Sequence, residues 1–125
     1  MPESKPKLSP AQIAHMIGDI IVDKKGSELL VLDLRECSDI ADYMILASGT
    51  NKRQVQAMAE EIAKDMKQAG RSVLGINGKE HGWWVLLDYG DVLVHLMQDD
   101  ARRYYHLEAL WADAQVVRRG VEDAA

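Results

Sequence analysis

Two carboxylates, Asp88 and Asp91, lie in a stretch whose residue types could support metal chemistry. Enzymes that transfer a nucleotidyl group use two or three carboxylates on a nearby strand to hold Mg²⁺. Alternate residues of a strand share one face, so side chains three residues apart do not form a strand-borne pair, although a tight turn would bring them near each other. The spacing therefore does not indicate a two-metal site.

A second candidate is the sequence Ser-Gly-Thr-Asn at 48–51, which lies where a predicted strand meets a predicted helix. A helix N-terminus at this point could hold an anion. The segment lacks both the GxGxxG dinucleotide motif and the Lys-Ser/Thr pair of the P-loop. A tight turn followed by a helix cap is the simpler interpretation. A degenerate Mg²⁺-dependent nucleotidyltransferase, or a nucleotide-binding protein, with its site near Ser48 and Asp91 stays open as the alternative.

The histidines and the single cysteine show no spacing typical of metal ligands. His95 alternates with Val94 and Leu96 in a predicted strand, which favours a hydrogen-bonded structural histidine over a catalytic base. Cys37 has no motif partner and can form no disulfide within the chain. The sequence thus predicts no catalytic residue, no metal and no cofactor, and we expect a protein that is not an enzyme.

The net charge of the chain bears on its partners. A formal charge of −5 over 125 residues is opposite to the basic footprint of proteins that grip nucleic acid. We therefore expect a basic protein partner, no DNA, and RNA contact that is at most peripheral. No apolar run approaches the ~20 residues that span a bilayer, and residues 1–7 do not resemble a signal peptide. These features predict a cytoplasmic protein without membrane contact.

The elements that would position the candidate residues centre on a predicted β-hairpin. Apolar runs at 83–87 and 92–96, rich in β-branched and aromatic residues, flank a short link that contains Gly90. Asp99 then opens a predicted helix that continues to about Arg118. Its inward-facing residues are predicted to be Leu107, Leu110 and Trp111.

The rest of the chain predicts a mixed α/β fold. A helix opens at Ser9 and Pro10, strands cover 28–34, 43–49 and 71–76, and a second helix covers 52–69. The strand–helix–strand unit at 43–76 normally places two strands parallel. We therefore predict a five-stranded mixed β-sheet flanked by helices, with a disordered leader at 1–8, a single domain at 9–118 and a frayed tail at 119–125.

Aromatic side chains beside acidic ones distinguish the predicted hairpin. Trp83 and Trp84 are adjacent, so strand alternation places them on opposite faces, and Asp88 shares the face of Trp84. Aromatic residues ringed by carboxylates suit a hot spot for a basic protein. Burial of both indoles in the core is the competing interpretation, and the sequence alone does not decide between the two.

The hairpin sequence also resembles a known family. Residues 84–97, WVLLDYGDVLVHLM, are similar to the ribosomal silencing factor family, which is related to plant Iojap. The segment 102–111, RRYYHLEALW, resembles that family's closing pattern, and 33–34, 39–45 and 48–50 also match. The resemblance covers roughly residues 13–111, and the leader and the tail lie outside it.

The resemblance implies a nucleotidyltransferase-like α/β fold without its catalytic carboxylates. It also implies binding to the large ribosomal subunit through that subunit's protein fourteen, at the face that meets the small subunit. Occupying that face would block subunit joining and repress translation, typically when nutrients are scarce. Family members are often dimeric, so a homodimer through the same apolar edge is a further expectation, and it would compete with ribosome binding.

The family's contact surface maps onto particular residues of this chain. On the resemblance, Trp84, Asp88 and Tyr89 belong to that surface, and we place Asp91 and Met97 in the same partner-binding set. Tyr89 stands where the family often has Leu, which would keep an apolar contact of a different shape. Trp83, beside the expected tryptophan, is a second departure that would extend either the surface or the core.

Overall fold

One mixed β-sheet with helices packed on it forms residues 8–120, the part of the chain that the structure, a computed structural model, describes. The predicted leader and tail fall mostly outside this range, at 1–7 and 121–125. In chain order the elements are α1 (Pro10–Asp23), β1 (Ser27–Asp33), β2 (Tyr43–Gly49), α2 (Lys52–Gln68), β3 (Gly75–Asn77), β4 (Trp84–Asp88), β5 (Val92–Gln98), α3 (Asp99–Tyr105), a 3₁₀ helix (Leu107–Trp111) and β6 (Gln115–Arg119). No helix in this range is long and apolar enough to cross a membrane.

The sheet has the strand order β3-β4-β5-β2-β1-β6. β2 and β5 run parallel, and every other neighbouring pair is antiparallel. The predicted mixed sheet flanked by helices is therefore confirmed, with six strands where five were expected. The two strands of the strand–helix–strand unit run in the same direction, but they are not neighbours, because the β4–β5 hairpin lies between them. β3 is also shorter than predicted and begins at Gly75.

Local hydrogen bonds explain where the two long helices begin. Ser9 and Gln12 form a reciprocal capping box at the start of α1, with Pro10 in the first turn. The side chain of Asn51 accepts a hydrogen bond from the backbone N–H of Gln54 and so caps α2. Both helices bury their apolar sides in one core cluster on the same face of the sheet, which includes Ile13, Ile17, Val55, Met58 and Ile62.

The hairpin predicted around Gly90 is confirmed. β4 and β5 pair antiparallel, from Trp84 opposite Met97 to Asp88 opposite Leu93. Gly90 has a φ of 86°, a left-handed conformation that glycine adopts at little cost. The turn thus sets the register that decides which side chains of the hairpin share a face.

The prediction of one continuous helix to Arg118 is wrong. α3 ends at Tyr105, because His106 takes a left-handed conformation with φ 46° and ψ 50° that turns the chain away from the helix axis. Five residues of 3₁₀ helix follow, and the chain then enters β6. Leu107 and Trp111 do face inward, as expected, whereas Leu110 is exposed.

β6 is the strand that the prediction omitted. Val116 and Val117 have the β-branched side chains that favour strands, and β6 pairs antiparallel with β1 at the edge of the sheet. Arg119, assigned to the frayed tail, is the last residue of this strand, and the backbone N–H of Gly120 donates to the carbonyl of Leu29 over 2.7 Å. Only 121–125 of the predicted tail lie outside the described residues.

The face of the sheet opposite α1 and α2 is covered only in part. On β1 and β2 a second core cluster is packed beneath the 3₁₀ helix. Across β4 and β5, among the residues that the structure describes, the same face is half-exposed except at His95 and Met97, which are buried. We call this part the open face, and its residues are Trp84, Leu86, Asp88, Leu93 and His95.

Candidate functional site

The alternation of β4 places Trp84 and Asp88 on the open face. Trp84, Leu86 and Asp88 are half-exposed, whereas Val85 and Leu87 between them are completely buried beneath the helices. The predicted division of this strand into two faces is therefore confirmed. A β-strand that buries one face and leaves aromatic, aliphatic and acidic side chains on the other offers a surface for a partner.

Both hairpin tryptophans reach the surface, so burial of both indoles in the core is excluded. Trp83 is 40% exposed, and Trp84 is half-exposed. The ring of Tyr105 lies 4.7 Å from that of Trp84 and 5.6 Å from that of Trp83, and Tyr104 stacks edge-on to Tyr105 at 4.9 Å. We refer to these four side chains, Trp83, Trp84, Tyr104 and Tyr105, as the aromatic cluster. It adjoins the open face at the start of β4.

A hydrogen bond fixes the indole of Trp84. Its Nε1–H donates to Nδ1 of His95 on the neighbouring strand over 3.0 Å. His95 is 8% exposed, and burial lowers the pKa of its imidazole to about 4. His95 is thus hydrogen-bonded, as its strand position predicted, and burial favours its neutral form.

The two acids of the hairpin turn serve different contacts. Oδ1 of Asp88 accepts a hydrogen bond from the backbone N–H of Gly90 over 2.7 Å, and its second oxygen has no partner among residues 8–120. Oδ1 of Asp91 accepts from Nη2 of Arg71, also at 2.7 Å, and the same nitrogen donates to the carbonyl of Tyr89. Asp88 therefore keeps one carboxylate oxygen without a hydrogen bond to the described residues, while Asp91 holds the segment after α2 against the turn.

Two of the predicted partner-binding residues are buried and do not belong to a contact surface in this conformation. Tyr89 is 1% exposed, because its ring turns into the core cluster beneath the helices, and burial raises the pKa of its phenol to about 12. Met97 is completely buried, although its register opposite Trp84 places it on the same face of the hairpin. Of the five predicted partner-binding residues, only Trp84, Asp88 and Asp91 are therefore accessible at the surface in this structure.

The alternative nucleotide site near Ser48 and Asp91 does not form. β2 and β5 are parallel and in register, with Tyr43 opposite Val92 and Ser48 opposite Met97. Ser48 lies opposite Met97, so about six residues, or roughly 20 Å of strand, separate it from Asp91. Ser48 is also completely buried. No group of three or more potential metal ligands occurs among the described residues.

Sequence reasoning missed several members of the surface. Strand alternation already put Leu86 on the face of Trp84 and Asp88, whereas Leu93 joins them only through the hairpin register. Tyr105 reaches Trp84 only because α3 folds back over the end of the sheet, so no sequence spacing predicts that contact.

Both the sequence and the structure are similar to those of known proteins. The family model described as "Ribosomal silencing factor during starvation" matches residues 7–125. A ribosomal silencing factor of Haemophilus influenzae is 44% identical over 88 residues, which cover 70% of this chain and 86% of the relative. One from Chromobacterium violaceum is 39% identical over 100 residues, covering 80% of this chain and 82% of the relative.

A more distant relative and two solved structures are also similar to this chain. A mitochondrial Iojap-related protein of Arabidopsis thaliana is 29% identical over 101 residues, which cover 74% of this chain and 53% of the relative. A crystal structure of a protein from Chromobacterium violaceum superimposes with a TM-score of 0.82 at 36% identity, covering 94% of this chain and 97% of that one. A second, from Bacillus halodurans, gives 0.72 at 35% identity, covering 86% and 95%.

Proposed function

The chain belongs to the ribosomal silencing factor family, and we propose that it represses translation by binding the large ribosomal subunit through that subunit's protein fourteen. The contact lies at the face that meets the small subunit, so the bound protein blocks subunit joining. The single observation that carries the proposal is the open face, where a half-exposed tryptophan and a carboxylate with a free oxygen share one side of a strand.

The chemistry of this surface suits a basic protein. Trp84 supplies a large, rigid contact area, and Leu86 and Leu93 extend it with aliphatic side chains. Asp88 contributes one of the negative charges of a chain whose formal net charge is −5. Acidic and aromatic side chains together match a basic surface in charge and in shape, whereas a polyanion would be repelled. RNA contact therefore stays peripheral.

The mechanism is steric and needs no turnover. Affinity and position suffice, because a folded domain bound at the intersubunit face occupies space that the small subunit requires. The protein acts in the cytoplasm, where the subunits meet. A second copy of the chain is a competing occupant of the open face, so dimer formation and ribosome binding exclude each other. A dimer-breaking variant that bound subunits no better than wild type would contradict that competition.

Co-sedimentation with purified large subunits tests the proposal. We expect wild type to bind and to prevent joining of added small subunits, whereas Trp84→Ala and Asp88→Ala should weaken both. Asp23→Ala is the matched control, because Asp23 is an exposed acid at the end of α1, on the opposite side of the sheet. The proposed role of the open face would be refuted if wild type failed to sediment with large subunits. It would also be refuted if Asp23→Ala weakened binding as much as Trp84→Ala and Asp88→Ala.

A further inference from the structure

His95 lies beside Trp84 on the open face and is bonded to it through only one of its two ring nitrogens. We infer that His95 is a positioning residue for the docking indole and that its second nitrogen, Nε2, donates a hydrogen bond to a carbonyl oxygen of the protein partner. The inference rests on the proposed function and adds to it a specific polar contact that the partner has to satisfy.

The hydrogen bond from Trp84 determines where the proton of His95 resides. An indole nitrogen can only donate, so Nδ1 of His95 must accept through its lone pair. A neutral imidazole that accepts through Nδ1 carries its hydrogen on Nε2. The burial of the ring, which disfavours the charged form, agrees with a neutral imidazole at neutral pH.

The Nε2–H group is left without an acceptor by the chain itself. No residue in the range 8–120 accepts a hydrogen bond from it. Its cross-strand neighbours on the same face, Leu86 on β4 and Leu46 on β2, are aliphatic and offer no side-chain acceptor. A partner that covers the open face removes the remaining water from this group, so it must supply an acceptor or leave a donor unsatisfied.

The acceptor is best matched by a carbonyl oxygen rather than a carboxylate. Asp88 lies on the same face and keeps one carboxylate oxygen without a partner, so a second carboxylate brought against this surface would meet a like charge. A backbone or amide carbonyl of a basic protein carries no such penalty. The Nε2–H group therefore selects for a partner segment that presents a carbonyl beside the indole.

The same histidine prepares Trp84 for docking. The indole is fixed at its nitrogen by His95, and its ring packs against Tyr105 at 4.7 Å. Immobilising a large side chain on binding costs conformational entropy, and a ring that is already fixed avoids that cost. Loss of the hydrogen bond should therefore weaken binding even where the fold is unchanged.

Two substitutions separate positioning from donation. In His95→Asn, the amide oxygen can still accept from the indole, but the amide N–H groups lie nearer the backbone and do not reach the position of Nε2–H. In His95→Phe, both functions are lost and the ring is kept. Trp84→Phe removes the indole donor and identifies the Trp84 indole resonance in a ¹H–¹⁵N spectrum, and Trp111, whose Nε1 has no partner among the described residues, serves as an internal reference.

We expect His95→Asn to leave the Trp84 indole resonance near its wild-type position and to weaken binding to large subunits by about 10-fold, the effect of one hydrogen bond. His95→Phe should shift that resonance upfield and weaken binding by about 100-fold, since two contributions are lost. Thermal unfolding of each variant verifies that weaker binding is not caused by unfolding of the protein. If His95→Phe fails to fold, Trp84→Phe tests the same hydrogen bond by removing its donor.

The outcomes that overturn the inference are distinct. Wild-type affinity in His95→Asn would eliminate the donated hydrogen bond. An unchanged indole resonance and unchanged affinity in His95→Phe, or wild-type affinity in Trp84→Phe, would eliminate the positioning role. If wild type itself does not bind large subunits, the proposed function fails and the donated bond fails with it, whereas the indole spectra still decide whether His95 orients Trp84.

Discussion

Arg102 donates a hydrogen bond from Nη1 to Oγ of Ser48 over 3.0 Å, across 54 residues of sequence, and so ties the last α-helix to the end of β2. Nε of the same guanidinium contacts both carboxylate oxygens of Glu108 at 3.0 and 3.2 Å. The left-handed turn at His106 brings Glu108 back towards Arg102 and lets the 3₁₀ helix cover the second core cluster. One buried cation thus organises the carboxyl-terminal part of the fold.

Arg102→Met should destabilise the protein by about 2 kcal/mol, because it removes the buried hydrogen bond to Ser48 and leaves the half-buried Glu108 carboxylate without its partner. The side chain of Arg102 is only 6% exposed. Urea denaturation measures the free energy of unfolding. Arg103→Met is the control, since Arg103 pairs with Asp100 at the surface and should cost about 0.5 kcal/mol or less. Equal losses in the two variants would contradict the role given to Arg102.

Tyr89→Phe should leave the protein as stable as wild type or up to about 1 kcal/mol more stable. The Tyr89 hydroxyl is buried without a hydrogen-bond partner among residues 8–120, so removing it relieves a desolvation penalty and breaks no bond. The urea midpoint measures the change, and binding to large subunits should not alter, because the ring is not on the open face. Tyr104→Phe, at a highly exposed ring, is the control for removing a hydroxyl. A loss of more than about 1 kcal/mol in Tyr89→Phe would reveal a partner for this group.

Gly78→Ala should cost at least about 2 kcal/mol of stability. Gly78 has a φ of 82°, where an L side chain is strained by about 1–2 kcal/mol, and a Cβ there would collide with the carbonyl oxygen of Trp84. That collision displaces the backbone of β4 at Trp84, so binding to large subunits should weaken as well. Gly75→Ala is the matched control, because a Cβ at Gly75 meets nothing within 4 Å and the backbone is not left-handed. Thermal unfolding of the two variants should differ clearly, and similar melting temperatures would refute the clash.

Local sequence features predicted the elements that depend on local interactions. The caps at Ser9 and Asn51, the apolar sides of α1 and α2, and the turn at Gly90 all rest on contacts within a few residues. The division of β4 into two faces also follows from strand alternation alone. These are the parts of the fold and of the open face that the sequence determines most directly.

The features that sequence reasoning missed depend on contacts between distant segments. The apolar spacing after Asp99 fits a helix, but pairing of β6 with β1 and the Arg102–Glu108 contact draw the chain out of it at His106. Tyr89 has the residue type of an interface and lies among exposed positions, yet the turn directs its ring into the core. Such outcomes are set by tertiary packing, which overrides local preference.

The stability of the protein should fall between about pH 6.5 and pH 4 in a way that depends on His95. Burial lowers the pKa of the folded imidazole to about 4, while an unfolded histidine keeps a pKa of about 6.5. In this window the unfolded state binds a proton that the folded state does not, so acidification favours unfolding, by as much as about 3 kcal/mol.

His95→Asn, which cannot titrate in this range, provides the comparison for that pH dependence. Carboxylates such as Asp33, whose pKa is lowered by its hydrogen bonds with Arg35, titrate in both proteins. Their contribution therefore cancels when the free energies of unfolding of wild type and variant are subtracted. Urea denaturation of wild type and variant at pH 7, 5.5 and 4 should show the stability advantage of wild type shrinking as the pH falls. Parallel curves would mean that His95 is protonated as easily in the folded protein as in the unfolded chain, and that the hydrogen bond from Trp84 does not hold its ring in the neutral form.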